Sequence, residues 1–364
     1  MTKARTNASA SPAVGRNMVI NGAMNVAQRA TSVTGLGATG VYATCDRFQI
    51  NGSSANAGRL TVTQTADGPN GISANCLKLD CTTADTSIAA GEFLLVQHGI
   101  EGQNLQRIGK GVAGAKQVTV SFYVKASAAF TFGVELEDND NTRQITKLYN
   151  TTTDWVRQEV TFPVDVDDGS SPFDDDNARS LTIIFWLHGG ATYTGGTLNT
   201  AAFANTTQAN RAPGIDNFFS STDNNFFLTG VQMEVGPVAT EFEQEDISTT
   251  LAKCQRYYRS YGGNSNNERL CTAWASTTTE ARAVIENVVE MRATPTIAVS
   301  AVSDWITEHV GTNTACSAIA VDQPSAKNTA INFTIGSANL TAGQGLQIMA
   351  NSSTDARLEL LAEL

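Results

Sequence analysis

Short segments in which apolar and polar residues alternate recur along this chain, and they restrict its fold more than any other feature. In residues 116–125, for example, Val118, Val120 and Phe122 are two apart, so in an extended strand they share one face. Comparable segments, each bounded by Gly, Asn, Asp or Pro, are residues 45–50, 59–64, 76–81, 93–97, 130–137, 155–162, 181–188 and 226–234. Because no helical pattern separates them, the sequence predicts an antiparallel all-β sandwich, and about nine strands over roughly 220 residues favour a jelly roll.

The last of these segments leads into a predicted helix. In residues 226–234, strict alternation places Phe227, Val231 and Met233 on one face of the strand and Phe226 on the other. Residues 246–263 then predict a short connecting helix that Asp246 or Ser248 can cap and Gly262-Gly263 can end. Its apolar stripe consists of Ile247, Leu251, Cys254, Tyr258 and Tyr261. Residues 264–364 carry further strand patterns and predict a smaller C-terminal β-sandwich.

Composition and charge exclude several classes of protein. Only 16% of the residues are charged and the net charge is −11, which argues against a nucleic-acid-binding protein. No run of 18 apolar residues occurs, so no membrane insertion is expected, and the N-terminus lacks the apolar core of a signal peptide. The six cysteines form no CxxC motif. We expect all six to be small core residues with reduced thiols. Basic residues precede the first acid, Asp46, so residues 1–16 form either a solvated tail or an arm that docks on an acidic partner.

Several phrases resemble one family. They are NMVINGAMNVAQR at residues 17–29, VQHGIEG at 96–102 followed by Lys110 and VTVSFYVK at 118–125, LTGVQMEVG at 228–236 with CQRYY at 254–258, and MRATPT at 291–296. Together they resemble bacteriophage tail-fibre and minor virion proteins that contain a carbohydrate-binding-module-like jelly roll. The implied domains are an attachment arm (1–16), the jelly roll (17–245), the connecting helix (246–263) and the C-terminal sandwich (264–364).

The resemblance implies a structural virion protein rather than an enzyme. The expected role is a tail fibre or adhesin subunit, assembled in the host cytoplasm, that attaches to another virion protein through residues 1–16 and contacts a host surface glycan. The resemblance also implies a homo-oligomer, most simply a trimer. A capsid fibre or decoration protein is the alternative, and a glycan depolymerase is a further one.

The residues themselves give little support to catalysis. The histidines, His98, His188 and His309, are scattered, and His188 is expected to be a satisfied sheet residue. Glu135 and Glu137 are two apart and share a strand face, as a glycosidase pair could. Because a loop rich in Asp and Asn follows them, a solvated face is the preferred interpretation.

An acidic loop offers oxygen ligands for a cation. In residues 165–176, the side chains Asp165, Asp167 and Asp176 occupy positions 1, 3 and 12 of an EF-hand count. Gly169 stands at position 5 rather than 6, the twelfth residue is not Glu, and no flanking helices are predicted. The loop is therefore either a structural Ca²⁺ site or a solvated acidic loop.

Aromatic residues near a long polar loop are the candidates for sugar contact. Trp186 and Tyr193 precede or lie within residues 189–210, which are rich in Thr, Asn and Gly and exceed the usual length of a loop in a compact domain. A core role is the competing interpretation for Trp186. Trp155 resembles the tryptophan of the family phrase W.R..VTF, which implies a core position.

Overall fold

The computed structural model describes residues 15–165 and 172–364. They divide into two compact units, one reaching to Thr250 and including Leu364, the other spanning Leu251–Glu363. The boundary falls within the helix that follows the first unit's last strand.

Two six-stranded sheets make up the first unit, and every strand pair in them is antiparallel. The strands are β1 Ser32–Leu36, β2 Gln49–Gly52, β3 Arg59–Thr65, β4 Cys76–Thr83, β5 Phe93–Glu101, β6 Val118–Ala126, β7 Thr131–Asp138, β8 Arg143–Asn150, β9 Val156–Phe162, β10 Arg179–Gly189, β11 Ala204–Asn205 and β12 Asn225–Val235. Sheet A has the order β1-β3-β4-β12-β6-β9, and sheet B has the order β11-β8-β7-β10-β5-β2. This is the predicted all-β, jelly-roll type of sandwich.

The inner faces of the two sheets form one continuous hydrophobic core. Phe122 of sheet A meets Phe185 of sheet B edge-on at 5.0 Å, and Phe226 meets Phe132 at 5.7 Å. All four rings are fully buried, and burial of each stabilises the fold by roughly 1.5–3 kcal/mol. The core therefore joins the sheets face to face and leaves their outer faces for other contacts.

The predicted faces of β12 are partly wrong, because a β-bulge interrupts the strand. The pairing of β12 with β6 shifts register between Thr229 and Gln232, and Gly230 between them has φ +59°. The core residues are consequently Phe226 and Leu228 before the bulge and Val231 and Met233 after it. Phe227 lies on the outer face, because one extra residue reverses the alternation between the two sides of the bulge.

The connecting helix is shorter than the sequence predicts. Two α-helices occur among the described residues, the single turn α1 Ala191–Thr194 and α2 Ile247–Gln255. Tyr258 and Tyr261, expected on the helix stripe, instead belong to the strand β13 Tyr258–Gly262, which pairs with β21 Arg357–Leu361. Pairing with a strand about 100 residues away in sequence overrides the helical spacing of these tyrosines. Neither helix has the length and apolarity that a bilayer span requires.

The second unit is all-β, but its strands close on themselves instead of forming a two-layered sandwich. The strands are β14 Arg269–Ala275, β15 Glu280–Glu286, β16 Thr296–Val299, β17 Trp305–His309, β18 Thr312–Pro324, β19 Asn328–Ile335 and β20 Gly345–Ala350, with β13 and β21. The order β14-β15-β19-β18-β17-β20 forms a closed barrel, and β13-β21-β16 is a separate sheet. Trp305, Ile331 and Phe333 lie in its core. Alternation is the same in a sandwich and a barrel, so the pattern could not distinguish closure.

Candidate functional site

The outer face of sheet B is covered by the chain between β10 and β12. Residues 190–216, here called the cover loop, return across that face, where Ala212 joins Leu95, Ile184 and Trp186 in a small buried cluster. The loop is tied to the sheet by backbone contacts, since the Thr146 amide donates to the Asn199 carbonyl at 2.8 Å. The long polar loop is thus an ordered cover on the sheet.

A buried ion pair fixes the cover loop in place. The guanidinium of Arg211 donates from Nη2 to Glu135 Oε1 at 2.7 Å and from Nε to the same carboxylate at 3.0 Å. The same Nη2 lies 3.1 Å from Glu137 Oε1. Burial would lower the pKa of Arg211, but the carboxylate of Glu135 raises it above its ordinary value. Burial raises the pKa of Glu135, and Arg211 opposes that rise.

This geometry removes Glu135 and Glu137 from acid–base chemistry. A glycosidase needs two carboxyl groups on opposite sides of a substrate bond, with about 5–9.5 Å between them. Here both carboxylates converge on one guanidinium, and Glu135 is completely buried. The sequence allowed two interpretations of this pair, a solvated strand face or a glycosidase pair. In the structure the two carboxylates instead hold the cover loop through Arg211.

Trp186 and Tyr193, the two residues predicted to contact sugar, lie together at this site. Their ring centroids are 5.3 Å apart, and Phe93 meets Tyr193 from another side at 5.5 Å. Trp186 is 1% exposed, its Nε1 donates to Glu135 Oε2 at 2.5 Å, and Arg211 lies over its ring at 5.2 Å. Tyr193 is half-buried. Sugar contact by these rings stays a prediction, and in this conformation Tyr193 alone of the two presents ring surface to solvent.

The histidines occupy separate places. His188 is fully buried in β10, and its ring nitrogens contact Asn217 Oδ1 at 2.5 Å and Glu92 Oε2 at 3.1 Å, which fits a satisfied sheet residue. His98 is fully buried near Phe48, and burial, reinforced by Arg47, lowers its pKa to about 3.

The predicted cation ligands are partly accounted for by ion pairs. Asp165 lies 3.2 Å from Arg143 Nη2 and 4.0 Å from Lys110 Nζ. Asp176 accepts a hydrogen bond from the Ala178 amide at 2.8 Å, and Asp167 lies outside the described residues. Within residues 15–165 and 172–364, no three His, Cys, Asp or Glu side chains are grouped as a metal site. Since cations already neutralise Asp165, the Ca²⁺ site stays a prediction without structural support.

One aromatic residue lies where the family resemblance did not place it. Trp155, expected in the core, is half-buried on the outer face of sheet A, and its indole meets Phe227 rather than the core rings. The bulge at Gly230 is what turns Phe227 outward. No local pattern marks Trp155 as a surface residue, because it immediately precedes a regular strand.

Comparison with known proteins identifies a domain in the first unit. Residues 79–172, from β4 to beyond β9, match the family described as "Carbohydrate binding domain". This part of the first unit is therefore similar to a carbohydrate-binding domain, a kind of module that binds glycans and is not catalytic by itself. No curated protein matches the sequence.

Solved structures with weak similarity are themselves carbohydrate-binding modules. A structure titled "CBM4 structure and function" is 11% identical, covering 60% of this chain and 99% of its own, with a TM-score of 0.30. A family 11 module from Clostridium thermocellum in complex with a β-1,3-1,4-mixed-linked tetrasaccharide is 11% identical, covering 57% and 98%, with a TM-score of 0.28. At such scores the similarity does not establish a shared fold.

Proposed function

We propose that this chain is a non-catalytic, glycan-binding structural protein of a bacteriophage particle, acting as a tail-fibre or adhesin subunit. The match of residues 79–172 to a carbohydrate-binding domain is the observation that supports glycan binding. The phage origin is supported by the sequence phrases at both ends of the jelly roll and after the helix.

The chemistry of the first unit favours binding over catalysis. Its paired carboxylates, Glu135 and Glu137, are held by Arg211, and His188 is engaged by Glu92 and Asn217. Groups held in this way keep a surface rigid, and a rigid surface loses little entropy when it binds a ligand. In the cover loop we propose Tyr193 as a sugar contact, with Trp186 and Phe93 supporting its ring.

We propose that residues 1–16 attach the subunit to another virion protein and that the subunits assemble as a homotrimer, so that weak glycan contacts act together at high effective concentration. Deletion of residues 1–16 tests this directly: the truncated protein should fail to enter particles in a complementation assay. Incorporation at the level of the full chain would contradict the attachment role, and antibody labelling of the head instead of the tail would assign the protein to capsid fibres.

Glycan binding is tested on the intact chain with a printed array. The array carries purified bacterial capsular and O-antigen polysaccharides together with plant β-glucan and galactan. The wild-type chain should bind at least one polysaccharide reproducibly, and chain unfolded by heat should bind none. Absence of binding to every polysaccharide, with correctly folded protein, would overturn the proposed function.

A further inference from the structure

We propose that the outer face of sheet A carries a second glycan site, separate from the cover loop, which takes a neutral polysaccharide chain. The inference rests on the proposed function and names a place and a ligand class for it. The site consists of Trp155, Phe227 and Tyr123, here called the aromatic row, and the loop of residues 66–74.

The aromatic row crosses three neighbouring strands. Phe227 of β12 is paired with Lys125 of β6, and Trp155 immediately precedes β9 on the other side of β6. The Lys125 Nζ lies 4.6 Å from the ring centroid of Phe227 and 5.2 Å from that of Trp155. All three aromatic side chains are half-buried, so each is held by packing and keeps part of its surface exposed. A cation also lies over each ring: Lys78 and Lys125 over Phe227, Lys125 over Trp155, and Arg157 over Tyr123. Rigid, partly exposed rings are the side chains on which the apolar faces of sugar rings can lie.

The row continues into a depression in the surface. Tyr123 lies against Gly230, where a Cβ atom in place of the glycine hydrogen would come within 2.8 Å of the tyrosine ring and 3.0 Å of Ile72. Ile72 lines a depression of about 500 Å³ that is bounded by residues 66–74 and Gln244. The indole Nε1 of Trp155 donates to the Asp67 carbonyl at 3.0 Å, which fixes the loop to the row. The depression is lined by backbone and side-chain amide groups, and the Gln244 amide closes it by donating to the Ile72 carbonyl at 2.6 Å.

The charges around the row identify the ligand class. Each of its three cations lies beside a carboxylate: Lys78 is 3.3 Å from Asp80, Lys125 is 2.7 Å from Asp67, and Arg157 is 2.8 Å from Glu159. These pairs leave no surplus positive charge to attract a nucleic acid or an acidic glycan. The carboxylates are about half exposed, at 50% for Asp67, 44% for Asp80 and 47% for Glu159, so they can accept hydrogen bonds from hydroxyl groups.

The same observations argue against a protein partner on this face. A stable protein interface buries roughly 800 Å² on each side, with an apolar centre that is depleted in charge. The aromatic row has charged pairs within it and beside it, since Lys125 lies over both Trp155 and Phe227 while it pairs with Asp67. A polymer of sugar rings, which carries both apolar faces and hydroxyl groups, matches this mixture of aromatic surface and hydrogen-bond acceptors.

The test repeats the array with variants of the intact chain. Trp155→Ala and Phe227→Ala should each weaken binding to the recognised polysaccharide about tenfold, because each removes one ring face from the contact. Trp274→Ala is the matched control, since Trp274 is 46% exposed in the second unit, and it should bind as the wild type does. The recognised polysaccharides should be neutral, and binding should persist in about 1 M NaCl, where charge attraction is screened within roughly 3 Å.

The outcomes of this test separate a failure of the aromatic row from a failure of the proposed function. If the wild type binds a polysaccharide and the folded Trp155→Ala and Phe227→Ala variants bind equally well, the aromatic row is overturned while the proposed function stands. If the wild type binds nothing on the array, both fall. Should a variant not fold, ¹⁵N-tryptophan labelling of the wild type replaces it: addition of the recognised polysaccharide should shift the indole signal of Trp155, and an unmoved signal would overturn the site.

Discussion

The indole of Trp155 stands at 74° to the phenyl ring of Phe227, with the ring centroids 6.2 Å apart. The two residues come from opposite neighbours of β6, and Lys125 of that strand lies against both rings. An edge-on pair of this kind contributes about 0.5–1.5 kcal/mol beyond the area that it buries. The pair is therefore a fixed feature of the outer surface of sheet A rather than part of the core.

Replacing Gly230 by alanine should destabilise the first unit by about 1–3 kcal/mol. The residue has φ +59°, and an added Cβ would meet the Tyr123 ring at 2.8 Å, so both backbone strain and overlap result. Gly114→Ala is the control, because nothing lies within 4 Å of its added Cβ and its φ is ordinary. Urea unfolding of both variants measures the difference. Equal stabilities would show that the bulge tolerates a side chain.

Stability should fall with acidification in a manner that depends on His98. Its pKa in the folded protein is about 3, against an ordinary value of 6.5. Because the folded pKa is depressed, this contribution is fully present above pH 6.5 and is lost as the pH falls from about 6.5 toward 3, at up to about 1.4 kcal/mol per pH unit. In urea unfolding at several pH values, His98→Gln should show a shallower acid-side decline than the wild type. Identical declines would contradict the buried neutral imidazole.

Replacing Arg211 should lower the stability of the protein more than replacing a lysine from an ion pair at the surface. Arg211→Met leaves the buried Glu135 without its counter-ion, at a cost of about 3–5 kcal/mol. Adding Glu135→Gln to that variant should recover part of the loss, since the stranded charge is then gone. Lys78→Met breaks a partly exposed pair and should cost less than about 1 kcal/mol. Thermal unfolding measures the loss of stability in each variant. If Arg211→Met loses no more stability than Lys78→Met, the cover loop is held by other contacts.

The cysteines should be inert in the folded protein. Burial raises the pKa of Cys76 and Cys81 to about 11 and that of Cys271 to about 12, so little thiolate exists near neutral pH. All six cysteines are free thiols. Mass spectrometry after iodoacetamide treatment at about pH 8 should find almost no alkylation of native protein and modification of every cysteine after unfolding in urea. Rapid labelling of any of the five buried cysteines in the native chain would contradict the structure, and the half-buried Cys271 should be the first to react if any does.

The sheet framework can be predicted because period-two alternation survives in most strands. The strand β8 escapes prediction, because Lys147 stands between the core residues Ile145 and Tyr149 and interrupts their apolar pattern. The bulge at Gly230 could not be predicted for another reason. Glycine in a strand indicates a bulge only weakly, and the reversal of faces depends on how β12 pairs with β6. The outward position of Phe227 follows from that reversal.

The sites are harder to predict than the sheets, because their contacts join distant parts of the chain. Glu135 and Arg211 are 76 residues apart, and no local pattern connects a strand glutamate to a loop arginine. The sequence singles out Trp186 and Tyr193 together, but the burial of Trp186 under the cover loop depends on where residues 190–216 return. The aromatic row likewise combines three strands that are adjacent only in the folded sheet.

The most direct test of glycan binding by the sandwich surface is a crystal structure of the intact chain with an oligosaccharide of the polysaccharide that the array identifies. We predict sugar rings lying against Trp155 and Phe227, with hydroxyl groups reaching Asp67 or the loop of residues 66–74. Oligosaccharide bound at another place, with the aromatic row bare, would contradict the account.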